Sequence, residues 1–289
     1  AIEAAREGIQ RIVDASYRAR LADRLALLAH TTHDVGLAVE ATRAAWRAAP
    51  TVVRVLLMVA ATERAGVTGV VLEQEASVIV RGGWEHSDAL ACHLLLLAGH
   101  YEDAIVRFEK ADSMGWGRTK HPGALVLPFL LFAVTGHVKL TDGTAIAELW
   151  SELDAPERGY FDRRLLLDRL NTGGDTGRHP FDHHRPYSEL LLETIQRHPV
   201  TEQTRKRWLA IARRCVQTVT REVLIGQHRR GETITAQWTI GLTEALSVLA
   251  GEEESLSFLE SVRLEYTDYS MLQSQLDELQ ANSPWLPNL

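Results

Sequence analysis

The chain has 289 residues, of which 45% are apolar and 24% charged, with 20 Gly and 9 Pro. This is globular composition, and it excludes a disordered, collagen-like or low-complexity chain. The formal net charge of −7 excludes a general polycation, and no run approaches the roughly 18–20 apolar residues of a membrane span.

Helical periodicity dominates, with apolar residues recurring at i, i+3, i+4 and i+7, while strand-like alternation is almost absent. The predicted helices run over 2–14, 16–30 and 35–48, the last stopping before Pro50. The next, 51–65, has Thr51 as its N-cap and Gly66 just past its end. Helix 69–82 absorbs the short β-branched run Ser77–Val80. Helices 87–98, 101–114 and 123–135 follow, closed by Gly99, Gly115 and Gly136. Then come 142–152 and 157–170, a loop over 171–186, and helices 187–197, 201–229, 232–250, 252–266 and 269–281. The tail from Ser283 is read as extended. Glu252, Glu253 and Glu254 open a helix, where carboxylates favour the positive end of its dipole.

Short helices joined by Gly- and Pro-marked turns read as antiparallel hairpins. Gly66, Gly99 and Gly136 close successive helices at intervals of 33 and 37 residues, the range of stacked helical repeats. The expected fold is all-α, an α-solenoid of stacked hairpins. A stack over 1–170, a polar linker over 171–186 and a second stack over 187–289 divide the chain.

Leu90 to Gly115 resembles a tetratricopeptide repeat. Gly99 stands at the small position closing the first helix; Ala104, Phe108 and Ala111 form the small–aromatic–small ladder of the second. Trp116 stands near where the closing proline would fall, and 242–266 resembles the unit more loosely through Gly251, Leu259 and Val262. The resemblance implies that Gly99, Ala104, Phe108 and Ala111 pack one helix pair. Gly115–Trp116, residues 120–131 and residues 225–230 are similar to helical regions of bacterial proteins that carry a SWIM-type zinc finger. The Cys-x-Cys and Cys-x-His pairs of the finger itself are missing.

Cys92 and Cys215 are too few for a disulfide framework or a Cys-rich zinc site. They read as buried free thiols in a reducing, cytoplasmic setting. The start has no signal-peptide pattern and no initiator Met, so more protein is expected upstream. The loop 171–186 carries His179, Asp182, His183 and His184, but no helix fixes them at ligand spacing, and it reads as a solvated linker. His93 and His100, seven apart, read as packing or helix-end residues. No phosphate loop, nucleophile elbow or His-Glu-x-x-His is present.

The most distinctive charge feature is 205–230, with eight Arg and Lys against Glu222 alone. This gives +7, against −14 for the rest of the chain. Trp208, Ala212, Cys215, Val219 and Val223 form an apolar stripe, and Arg207, Arg214 and Arg221 step by seven beside it. The expectation is that these arginines meet acidic neighbours such as the helix of Glu252–Glu254. Together with His228, Arg229 and Arg230 they are also the candidate binding residues of an anionic partner. The function expected is a non-catalytic scaffold or protein- and peptide-binding module without metal, cofactor or membrane attachment. A nucleic-acid-associated domain using helix 201–229 is the alternative.

Overall fold

The computed structural model describes residues 2–82, 87–110, 122–137, 139–154, 185–225 and 231–287. Helix 157–170, the histidines of the 171–186 loop, Ala111, Gly115, Trp116 and the His228–Arg230 group lie outside the described residues. Among the described residues the chain is all-α, with fourteen α-helices, one 3-10 turn (Glu152–Asp154) and no strand. The helices are α1 (Ile2–Arg11), α2 (Ala15–Thr31), α3 (Val35–Ala48), α4 (Val52–Ala65), α5 (Thr68–Arg81), α6 (Ser87–Leu97) and α7 (Tyr101–Glu109). They continue with α8 (Gly123–Thr135), α9 (Ala145–Ser151), α10 (Tyr187–Arg197), α11 (Glu202–Ile225), α12 (Gly231–Leu249), α13 (Glu252–Glu265) and α14 (Ser270–Asn282).

Local chemistry sets the helix ends. Asp14, Asp34, Thr51 and Thr144 each accept a backbone N–H three residues on, satisfying a donor that the first turn leaves open. Gly66 and Gly136 end α4 and α8 at φ +69°, and Gly99 follows α6 at φ +80°, where a side chain would be strained. His100 therefore lies beyond the turn, off the helix that carries His93.

The chain forms two compact units, Ala1–Ala104 with Asp154–Leu191, and Ile105–Leu153 with Leu192–Leu289. In the first, α1 to α6 pack in sequence, each on the next. Ala19, Ala22, Ala29, Ala41 and Ala45 are buried, and small side chains let α2 and α3 approach closely. Tyr187 joins this unit, its hydroxyl donating to the His93 carbonyl (3.3 Å) and its ring meeting the His93 ring edge-on at 4.7 Å.

The second unit is built around α12, which packs against α8, α9, α11, α13 and α14. Between Thr235 and Leu246 every residue of α12 but Gln237 is buried, as a helix with neighbours on all sides must be. Gly241 explains its closest contact: a Cβ there would stand 3.2 Å from Leu149 and 3.3 Å from Leu131. Phe129 meets Trp208 at 5.7 Å, and Phe132 meets Trp150 at 4.7 Å. The segment after α14 is packed and not merely extended: Leu286 is buried and Trp285 stacks on His137 at 5.0 Å.

Candidate functional site

Helix α11 carries the arginine stripe. Trp208, Ala212, Cys215, Val219 and Val223 are all buried and anchor the helix to its unit. Arg207, Arg214 and Arg221 are thereby turned to the exposed side. Acidic neighbours meet this face: Arg214 pairs with Glu109 at 2.9 Å, and Arg213 with Glu254 at 2.8 Å while lying over the Phe258 ring. Arg221 lines a small cavity of ≈ 110 Å³ between α11 and α13. There the Tyr266 hydroxyl is pushed up to about 12 by burial and by Glu265, with Arg221 opposing. Arg205 serves the fold, donating to the Thr135 carbonyl (3.2 Å) at the end of α8, with its guanidinium laid over Gly136.

Cys92, Cys215 and His93 are all buried. Burial pushes the Cys215 thiol up to about 12, so it is protonated at neutral pH. Burial likewise lowers the His93 imidazole to about 4, so it is neutral there. The Cys92 thiol donates to the Ala104 carbonyl. Among the described residues no group of three or more His, Cys, Asp or Glu is placed to hold a metal.

Three arrangements were not foreseen. Glu75 of α5 is fully buried and binds two arginines of α3. Arg43 Nε donates to Oε1 at 2.8 Å, while Arg47 donates to Oε2 through Nε (2.8 Å) and to Oε1 through Nη2 (2.7 Å). Glu75 falls in register with Val71, Leu72, Ala76 and Ile79, so its place on an apolar face was a readable signal. Glu244 of α12, also fully buried, accepts N–H bonds from Ala145 (2.9 Å) and Ile146 (3.0 Å) and a hydroxyl bond from Ser283 (2.7 Å). The carboxylate thus caps the start of α9 from another helix. Burial pushes its carboxyl up, against the pull of the three donors.

The third arrangement is a groove over α2, α3 and α4 with a cavity of ≈ 80 Å³. Its floor is largely Ala and Leu side chains, with Leu27 partly exposed. At one end Arg54 pairs with Asp23 at 2.8 Å; toward the other, Arg64 meets the His30 ring nitrogen Nδ1 at 2.9 Å. Arg24 completes the rim. Comparison with models of known families, with curated proteins and with solved structures finds no match for this chain.

Proposed function

We propose that the chain is a non-catalytic, tetratricopeptide-like helical scaffold that binds a protein or peptide partner. The observation that carries this reading is the groove on the sequentially packed helices α2, α3 and α4. It joins an apolar floor to a rim where Arg24, Arg54 and Arg64 outnumber Asp23. Such a surface suits an acidic peptide presenting one apolar side chain. The in-sequence packing of α1 to α6 and the left-handed glycines after α4 and α6 support the repeat character. The second unit, wrapped around α12, follows a bundle-like plan instead.

Selection from a random peptide library on the whole chain tests the reading. Acidic sequences with a single aliphatic or aromatic anchor should emerge. Leu27→Glu, at a position 38% exposed, should weaken the selected peptides by about tenfold or more, through lost apolar contact and added like charge. Peptides that bind this variant undiminished would refute the groove.

The nucleic-acid alternative rests on Arg207, Arg214 and Arg221. The ion pairs of Arg213 and Arg214 with Glu254 and Glu109 favour an internal role for this face. Duplex DNA should therefore bind no tighter than micromolar at physiological salt. Arg214→Ala should cost at most about 1 kcal/mol of stability, as exposed pairs do. A tight, steeply salt-dependent complex would reverse the order of the two readings.

A further inference from the structure

On a different face of α3 from the peptide groove lies an open cleft of ≈ 570 Å³, bounded by α1, α2 and α3. Ile9, Val39, Ala44 and Ala48 give it an apolar lining, and Arg18, Arg43 and Arg47 bring three guanidinium groups to it. The carboxylates nearby do not balance them. Glu40, which also lines the cleft, is engaged by Arg6 through three bonds of 2.9, 3.2 and 2.6 Å. Glu75 divides one negative charge between Arg43 and Arg47. The Arg18 side chain has no ion-pair or hydrogen-bond partner among the described residues.

The Glu75 contacts also leave donors over. Arg47 spends Nε and Nη2 on Glu75; Arg43 spends Nε and Nη2 on Glu75 and Gln74. The Nη1 group of each guanidinium is uncommitted among the described residues. Their side chains are 27% (Arg43) and 46% (Arg47) exposed, while Glu75 is fully buried behind them. A buried carboxylate that fixes two arginines one helical turn apart, with free donors and surplus positive charge at an apolar cleft, is pre-organised for an oxyanion.

We infer that this cleft binds a small organic oxyanion. Its carboxylate or phosphate would be held by Arg18, Arg43 and Arg47, and its apolar body would lie on Ile9, Val39, Ala44 and Ala48. The site stands apart from the peptide groove and does not depend on it.

Titration of the whole chain with phenyl phosphate and with phenylacetate, using benzyl alcohol as the neutral control, tests the inference. At least one of the two anions should saturate a single site, and the tighter of them names the oxyanion class. Arg18→Gln breaks no side-chain hydrogen bond or ion pair among the described residues, and Arg47→Gln leaves Arg43 on Glu75. Each should weaken binding by about tenfold or more, the worth of one charge-assisted hydrogen bond. Arg197→Gln on α10, an exposed arginine paired within its own helix with Glu193, should leave binding unchanged. The inference is overturned if neither anion saturates by about 10 mM. It is equally overturned if benzyl alcohol binds as well as the anions, or if Arg197→Gln weakens binding as much as the α2 and α3 variants do.

Discussion

Replacing Glu244 by Gln isolates one buried carboxylate at nearly constant volume. Three donors converge on it: the Ala145 N–H and the Ser283 hydroxyl on Oε1, and the Ile146 N–H on Oε2. A carboxylate accepts at both oxygens. When protonated it still keeps all three bonds, because the Ser283 hydroxyl can turn from donor to acceptor. A glutamine amide has one oxygen, so in either orientation its NH₂ faces a backbone N–H that must go unpaired. One orphaned buried donor costs about 1–3 kcal/mol. Urea denaturation followed by circular dichroism should show that loss for Glu244→Gln.

The pH dependence gives a second, independent check. Burial raises the folded carboxyl above its unfolded value of 4.5. A raised value means that the neutral form is favoured in the fold. The contribution of Glu244 is therefore complete below about 4.5 and declines as pH rises through the folded value. The gap between the native protein and Glu244→Gln should be widest in mild acid and should narrow toward neutrality. A variant as stable as the native chain at acid pH, or a gap that widens with pH, would refute the reasoning.

Phe108 is 1% exposed, so Phe108→Ala should cost about 3–5 kcal/mol in the same assay; a nearly unmoved midpoint would show that its ring is not packed. Cys92 and Cys215 are buried free thiols, and Cys215 is shifted to about 12. Ellman's reagent should therefore titrate both promptly in denaturant but only slowly in the native protein, and rapid stoichiometric labelling of the native chain would contradict their burial.

Much of the helical framework could be read locally because its punctuation is local. Thr51 caps α4 through a bond to the N–H of Arg54, and Gly66 and Gly136 take the left-handed conformation that a helix end asks for. Helices 35–48, 123–135 and 187–197 have the predicted bounds, and most others differ by one or two residues. The first helix ends sooner, at Arg11, because Asp14 caps α2 and opens a new start. The apolar stripe of α11 was likewise visible, since helical spacing alone places Trp208, Ala212, Cys215, Val219 and Val223 together.

Glu75 could be placed on the apolar face of its helix, but the partners within the polar centres were not legible, and the reason is distance along the chain. Glu244 finds its backbone partners 99 and 98 residues away, and no feature of α9 announces that an acid from another helix will complete its first turn. Arg43 and Arg47 look like ordinary surface residues until α5 brings Glu75 behind them from 32 and 28 residues on. The clefts are harder still, because they belong to spaces between helices and not to any one segment.

The placement of α12 has a consequence for how the chain emerges from a ribosome. Helix α8 is buried along nearly its whole length, from Leu125 to Thr135, and α12 is one of the helices that cover it. Yet α12 starts only at Gly231, almost a hundred residues after α8 ends. At a synthesis rate of about 5–20 residues per second, that is an interval of about 5–20 s. Throughout it the nascent chain carries an oily helix that α12 does not yet cover. Chaperone holdases should therefore engage stalled chains ending between α9 and α12, and release them once Leu249 has cleared the exit tunnel.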